Sequence, residues 1–148
     1  MTDGLGPLHV AVLDRFIPQF APRAKVLFLR GNEDRPRIFM PGTMQHLGIP
    51  CAKINKLPDV VLHLPSRRLL ILVALNVLIG VKQRNQIERL LSECSARREY
   101  VSALSNRQAY HRAGNNVAWN THVWLAEVPD HMIHCNGDKF LGPSRRRK

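Results

Sequence analysis

The clearest chemical signal in the sequence is the segment KLPDVV at residues 56–61, in which Asp59 stands at the start of an apolar run. A second apolar run follows at residues 68–77. In metal-dependent nucleases, carboxylates on two adjacent strands hold a hard divalent cation, and a lysine stabilises the charge that develops on the phosphate. The segment is compatible with that chemistry. A Pro-Asp pair is also common in the turn that leads into a strand, so both interpretations stay open on these residues alone.

A second polar segment, at residues 128–138, combines His131 and His134 with Cys135. Two histidines three residues apart on an extended chain point to opposite faces, which does not suit a tetrahedral zinc site. No second Cys/His pair stands at the spacing of a zinc finger. We therefore expect these residues to flank a hairpin rather than to bind zinc.

The chain of 148 residues is strongly basic, with 22 Lys+Arg against 11 Asp+Glu and a formal net charge of +11. Most of the basic residues are arginines, which favours bidentate contacts to phosphate or guanine. The simplest partner is nucleic acid, and an anionic membrane is the weaker choice. A solvated basic surface without a specific ligand is the remaining interpretation.

Nothing in the sequence indicates secretion or a membrane span. The three cysteines, Cys51, Cys94 and Cys135, form no CxxC pair, which favours reduced thiols inside a cell. The N-terminal residues do not read as a signal peptide. The longest apolar stretch, residues 69–81, contains Asn76 and is too short to cross a bilayer. We therefore expect a soluble, cytoplasmic protein without a membrane partner.

The apolar pattern predicts one α/β domain over residues 1–143, followed by a basic tail over residues 144–148. Helical spacing predicts an amphipathic helix that crosses over between strands. The predicted helices are residues 9–20 and 84–98. The predicted strands are residues 25–29, 59–64, 68–77, 100–104 and 117–126. We expect a hairpin over residues 132–141 around Asn136-Gly137 and a loop over residues 30–42. The expected architecture is a mixed sheet with flanking helices.

Longer motifs extend over most of the chain. They are FIPQFAP at residues 16–22, KLPDVV at 56–61, VAW at 117–119, VWLA at 123–126, PDHMIH at 129–134 and NGDKFLGP at 136–143. On these motifs the chain resembles the BsuBI/PstI-type restriction endonucleases, in their C-terminal catalytic region. The resemblance implies a fold of the PD-(D/E)XK nuclease type, which is an α/β structure with a mixed central sheet flanked by helices.

The same resemblance implies an activity and its partners. The activity is Mg²⁺-dependent cleavage of duplex DNA at a short palindromic target that a homodimer reads. The biological role is restriction-modification, beside a cognate methyltransferase. Family members also carry a further N-terminal region, so this chain is expected to correspond to their catalytic half.

Two acidic positions of the family are changed in this chain, and the one after the Trp of the later strand is Asn120. The strand after Pro-Asp carries a Glu in the family, and Ala74 stands where that Glu is expected. Asp59 is then left as the predicted metal ligand, and Mg²⁺ needs one or two carboxylates. Glu88, on the predicted helix, is a replacement for the missing carboxylate, and Lys82 is placed to approach the phosphate. The alternative for Glu88 is an ordinary solvated helix acid.

Residues outside this catalytic set are predicted to contact DNA. They are the basic residues Arg67, Arg68 and Arg84, together with His131, His134 and Asn136, which match the closing motif of the family. The leading interpretation is a type II site-specific deoxyribonuclease whose activity is damaged by the missing Glu. The alternative is a protein of the same fold that binds duplex DNA without cutting it. An RNA-binding domain is disfavoured, because Phe, Trp and Tyr total only 9 residues.

Overall fold

The computed structural model describes residues 5–31, 36–114 and 116–135. These residues form a seven-stranded sheet in the order β2-β1-β3-β4-β5-β6-β7. The strands are β1 (Lys25–Arg30), β2 (Pro36–Phe39), β3 (Val60–Leu64), β4 (Leu69–Leu75), β5 (Arg97–Leu104), β6 (Thr121–Leu125) and β7 (Ile133–Cys135). The helices are α1 (Pro7–Ala11), a π-helical turn (Val12–Phe16), α2 (Ile17–Phe20), α3 (Pro41–Leu47), α4 (Val81–Leu90), α5 (Arg107–Ala113) and two 3-10 segments (Cys51–Lys56 and Pro65–Arg67).

The sheet is mixed. Strands β4, β5 and β6 run parallel, and the other neighbouring pairs run antiparallel. A parallel pair needs a crossover connection, which α4 supplies between β4 and β5. All seven residues of β4 are buried, because helices cover both faces of the central strands. The predicted mixed sheet with flanking helices is therefore confirmed.

Two apolar cores lie on opposite faces of the sheet. On one face the N-terminal helices pack against the strands, and the Phe16 and Trp124 rings meet edge-to-face at 5.4 Å. On the other face Met44 of α3, Ile87 of α4 and Leu91, which follows α4, pack on the strands beside Tyr100. Alternate residues of a strand point to opposite faces, so every polar side chain at the sheet can be assigned to one core or the other.

Two sequence predictions about the elements are wrong. The helix predicted over residues 84–98 ends at Leu90, and Arg98 belongs to β5. Its guanidinium donates to the carbonyls of Leu91, Cys94 and Ala96, which satisfies the end of the helix and the turn that follows. The loop predicted over residues 30–42 contains β2 and the start of α3. Because β2 is an edge strand, it accepts Pro36 without losing a ladder bond.

The remaining elements agree with the sequence in type, with shifts at their ends. The strand predicted over residues 117–126 is β6, which is shorter, and α5 was not predicted. The first arm of the predicted hairpin is β7, which pairs antiparallel with β6, whereas the second arm and the basic tail lie outside the described residues. No helix among the described residues is long and apolar enough to cross a membrane.

Candidate functional site

Asp59 is held in place at the start of β3 by contacts to both of its carboxylate oxygens. The Leu75 backbone N–H donates to Oδ2 at 2.8 Å, and Arg30 Nε lies 3.4 Å from Oδ1. Arg30 also donates to the carbonyls of Ile54 at 3.3 Å and Leu57 at 2.5 Å. The carboxylate is therefore tied to β4 and, through Arg30, to the segment that precedes β3.

A cavity of about 360 Å³ opens beside Asp59, between that segment, the end of β4 and α4. It is lined by Asn55, Lys56, Leu57, Pro58, Asp59, Ala74, Val77, Ile79, Gln83, Gln86 and Ile87. Because Val60 pairs with Val73 in the antiparallel register, Ala74 stands opposite Asp59. The position where the sequence comparison expects a Glu thus faces the same cavity as Asp59, and it carries a methyl group.

The described residues do not fit a Mg²⁺ site as they stand. Mg²⁺ prefers octahedral oxygen ligands that include one or two carboxylates. Asp59 is the one acid among the described lining residues. One of its oxygens already accepts from the Leu75 amide, and the other forms an ion pair with Arg30. In the part of the chain that the structure describes, no group of three or more His, Cys, Asp or Glu side chains is arranged to hold a metal ion.

The structure does not bring the other two predicted catalytic residues to this cavity. Glu88 accepts a hydrogen bond from the Tyr100 hydroxyl and lies 3.4 Å from Arg98 Nε. Burial, followed by the hydrogen bond to Glu88, raises the pKa of Tyr100 well above its usual value. Lys82 is exposed in the first turn of α4 and, like Glu88, is absent from the cavity lining. The contacts of Glu88 are those of a residue that joins α4 to β5.

The arginines predicted to bind DNA are dispersed. Arg67 and Arg68 lie in the turn between β3 and β4, at the end of the strands opposite Asp59 and separated from it by the length of β3, about 17 Å. Both side chains are exposed. Arg84 is half-buried in α4 and donates to the Trp119 carbonyl at 3.2 Å. Arg84 is therefore engaged in a structural contact on the described chain.

The predicted histidines lie on another part of the molecule. His134, on β7, has its Nδ1 atom 2.7 Å from Nδ1 of His122, and Nε2 of His122 lies 2.7 Å from Oε1 of Glu99. This chain of contacts joins three strands on the face of Trp124, whereas Asp59 faces α4. His131 is exposed just before β7, and Asn136 lies outside the described residues.

Sequence reasoning missed three parts of these sites. Lys56 lines the Asp59 cavity and stands three residues before Asp59, so the motif itself contained that signal. Arg30 is distant in sequence from Asp59, and no local pattern marks it as a partner. His122 contacts both Glu99 and His134 because three strands lie side by side, and the sequence does not reveal that order.

Comparison with known proteins identifies the family. The family model described as the BsuBI/PstI restriction endonuclease domain matches residues 4–138. The type II restriction enzyme BsuBI of Bacillus subtilis is 31% identical over 136 residues, which is 90% of this chain and 43% of that enzyme. The type II restriction enzyme AplI of Arthrospira platensis is 30% identical over 148 residues, which is 93% of this chain and 45% of that enzyme. The chain thus spans less than half the length of these relatives.

A solved structure agrees with the family assignment. The SdaI restriction endonuclease superposes with a TM-score of 0.83 and 31% identity over 95% of this chain and 45% of that protein. This likeness is consistent with the predicted α/β nuclease fold of the PD-(D/E)XK type. That the matched part is C-terminal in the longer relatives stays a prediction. The chain belongs to the BsuBI/PstI restriction endonuclease family.

Proposed function

We propose that this chain binds duplex DNA in the manner of a type II restriction endonuclease domain. The observation that carries the proposal is the family match over residues 4–138. Charge supports it, since a formal net charge of +11 favours a polyanionic partner. Recognition of a short palindromic target by a homodimer, in the cytoplasm and beside a cognate methyltransferase, belongs to the same proposal.

We infer that the chain as it stands cleaves DNA weakly or not at all. Two observations support this inference. Ala74 supplies no carboxylate opposite Asp59, and Asp59 already forms an ion pair with Arg30 and accepts a hydrogen bond from the Leu75 amide. An enzyme site that lacks a ligand retains the binding surface around it, so DNA binding is expected to survive the loss of cleavage.

An active, Mg²⁺-dependent type II deoxyribonuclease is the second candidate function. It is favoured by the presence of Asp59 and Lys56 in one cavity. In that case Asp59 is the metal ligand, and Lys82 and Glu88 are the remaining catalytic candidates. Glu88 would then have to leave Arg98 and Tyr100 to reach the cavity.

Cleavage of supercoiled plasmid by the purified protein, with Mg²⁺ or Mn²⁺, separates the two candidates. The wild type and Asp59→Ala are compared, and binding to duplex DNA is measured on the same preparations. We expect the protein to bind DNA without cutting it. Discrete fragments that disappear with Asp59→Ala would establish the active enzyme, and absence of any DNA binding would overturn both functions.

Restoring the missing carboxylate tests the reason for the expected inactivity. We expect Ala74→Glu to increase Mg²⁺-dependent cleavage, because its carboxylate would face the cavity beside Asp59. Ala74→Gln is the matched control, since it adds similar volume without the charge. Equal activity of the two variants would show that the missing ligand is not the cause.

A further inference from the structure

A second depression of about 310 Å³ adjoins the Asp59 cavity. We call it the basic groove and define it by its lining, Lys53, Lys56, Gln86, Arg89 and Leu90. We propose that the basic groove binds the phosphate backbone of DNA and guides it to the Asp59 cavity. This inference rests on the proposed DNA-binding function and names the surface that performs it.

Two elements build the basic groove. The 3-10 segment Cys51–Lys56, kinked at Lys53, supplies the two lysines. Helix α4 supplies Gln86 and Arg89, which are three residues apart and therefore lie on the same side of the helix. The basic side chains are exposed, so their charges face solvent around the depression.

The basic groove is continuous with the cavity. Lys56 and Gln86 line both depressions. An extended ligand that lies along the groove therefore passes directly to Asp59 and Ala74. A backbone that carries a phosphate at every nucleotide suits this shape, whereas a single small anion would occupy only one part of it.

The charges of the basic groove are available to an external ligand. None of Lys53, Lys56 and Arg89 forms an ion pair with another residue that the structure describes, and no acid lines the groove. By contrast, the guanidinium groups of Arg30 and Arg98 are engaged by backbone carbonyls and by a carboxylate. The positive potential at the groove is therefore not cancelled by its own lining.

The test compares two triple variants that lose the same charge. The groove variant is Lys53→Gln/Lys56→Gln/Arg89→Gln. The control is Arg15→Gln/Arg23→Gln/Lys25→Gln. It changes three exposed basic residues, which lie in the π-helical turn, in the turn after α2 and at the start of β1. Binding to mixed-sequence duplex DNA is measured by fluorescence anisotropy over a salt series. Thermal unfolding of both variants confirms that they fold.

Each phosphate contact adds about 0.9 to the slope of log affinity against log salt. We expect the slope of the groove variant to be smaller in magnitude by about 3 than that of the wild type. Its affinity should be reduced at least tenfold at low salt. The control should keep the wild-type slope within about 0.5. A groove variant that binds like the wild type, or no worse than the control, would overturn the inference and leave the proposed function standing. A wild type that does not bind duplex DNA would overturn both.

Discussion

The two ends of the β3–β4 pair carry similar charge and differ in what the charge does. At one end Asp59 faces a cavity, and Lys56 lies on its lining with no ion-pair partner among the described residues. At the other end the chain turns through Arg67 and Arg68, and the Arg67 side chain lines neither of the two depressions at the Asp59 end. Basic residues therefore line the described depressions at one end of the pair and lie outside them at the other.

The Asp59 end further shows how one carboxylate can link neighbouring strands. Arg30, a cation on β1, forms an ion pair with one carboxylate oxygen of Asp59. The amide of Leu75 holds the second oxygen. The carboxylate thus stabilises the junction between β1, β3 and β4, whether or not it also takes part in chemistry.

Arg30→Gln is expected to have the largest effect on stability. The side chain of Arg30 is only 14% exposed, and its loss removes the ion-pair partner of Asp59 and the donor to two carbonyls. We expect a loss of about 3 kcal/mol in the free energy of unfolding, because a partly buried ion pair loses one partner. Urea denaturation measures this loss.

Arg67→Gln is the matched control at the other end of the strands. Its side chain is exposed, and such substitutions change stability by about 0.5 kcal/mol or less. Equal losses in the two variants would show that the contact between Arg30 and Asp59 does not stabilise the fold. The contrast between the two ends would then fail.

Glu88→Gln tests whether α4 supplies a structural or a catalytic acid. The structure joins Glu88 to Arg98 and Tyr100, so we expect a loss of about 1.5 kcal/mol in the free energy of unfolding. DNA binding should be unchanged. Glu93→Gln, in the exposed turn after α4, is the control and should be nearly neutral. Loss of plasmid cleavage without any loss of stability would instead support a metal-binding role for Glu88.

Lys56→Gln compares the two ends in DNA binding rather than in stability. If Lys56 contacts a phosphate, its loss weakens binding to all sequences alike and reduces the salt slope by about 1. Arg67→Gln should leave that slope unchanged, because the arginine is remote from the cavity. Anisotropy titrations at several salt concentrations measure both. A larger effect of Arg67→Gln would place the DNA at the turn and not at the basic groove.

Local sequence patterns predicted the scaffold of the site better than its contacts. The apolar run in β4 predicted a central strand, because seven buried residues in succession need cover on both faces. Asp59 was located at the start of the first run, and Ala74 was located from the resemblance to the restriction endonuclease family. The contact between Arg30 and Asp59 could not be predicted, since it depends on β1 lying beside β3. The end of α4 was missed because the spacing of polar residues up to Arg98 still fits a helix. The Arg98 guanidinium in fact donates to carbonyls of the turn that follows α4.

His63 provides the smallest expected effect, and it lies toward the Arg67 end of β3. It pairs with Lys25 on β1, and burial, followed by the charge of Lys25, lowers the pKa of His63. The unfolded chain then binds the proton more readily than the folded chain does. Stability is therefore complete above the unfolded pKa of about 6.5 and falls as the pH decreases towards the lower folded pKa.

Replacing His63 by Asn should flatten this part of the stability profile. Urea denaturation at about pH 5 and about pH 7.5 brackets the window, and His111→Asn on α5 controls for the loss of an exposed histidine. The wild type and the control should be less stable at the lower pH than at the higher pH. The difference between the two pH values should be smaller for His63→Asn. DNA affinity at the higher pH should not change, because His63 is remote from the basic groove. An unaltered pH profile would show that burial of this histidine does not affect the stability of the fold. A change in DNA affinity would mean that the two ends of the strands are coupled.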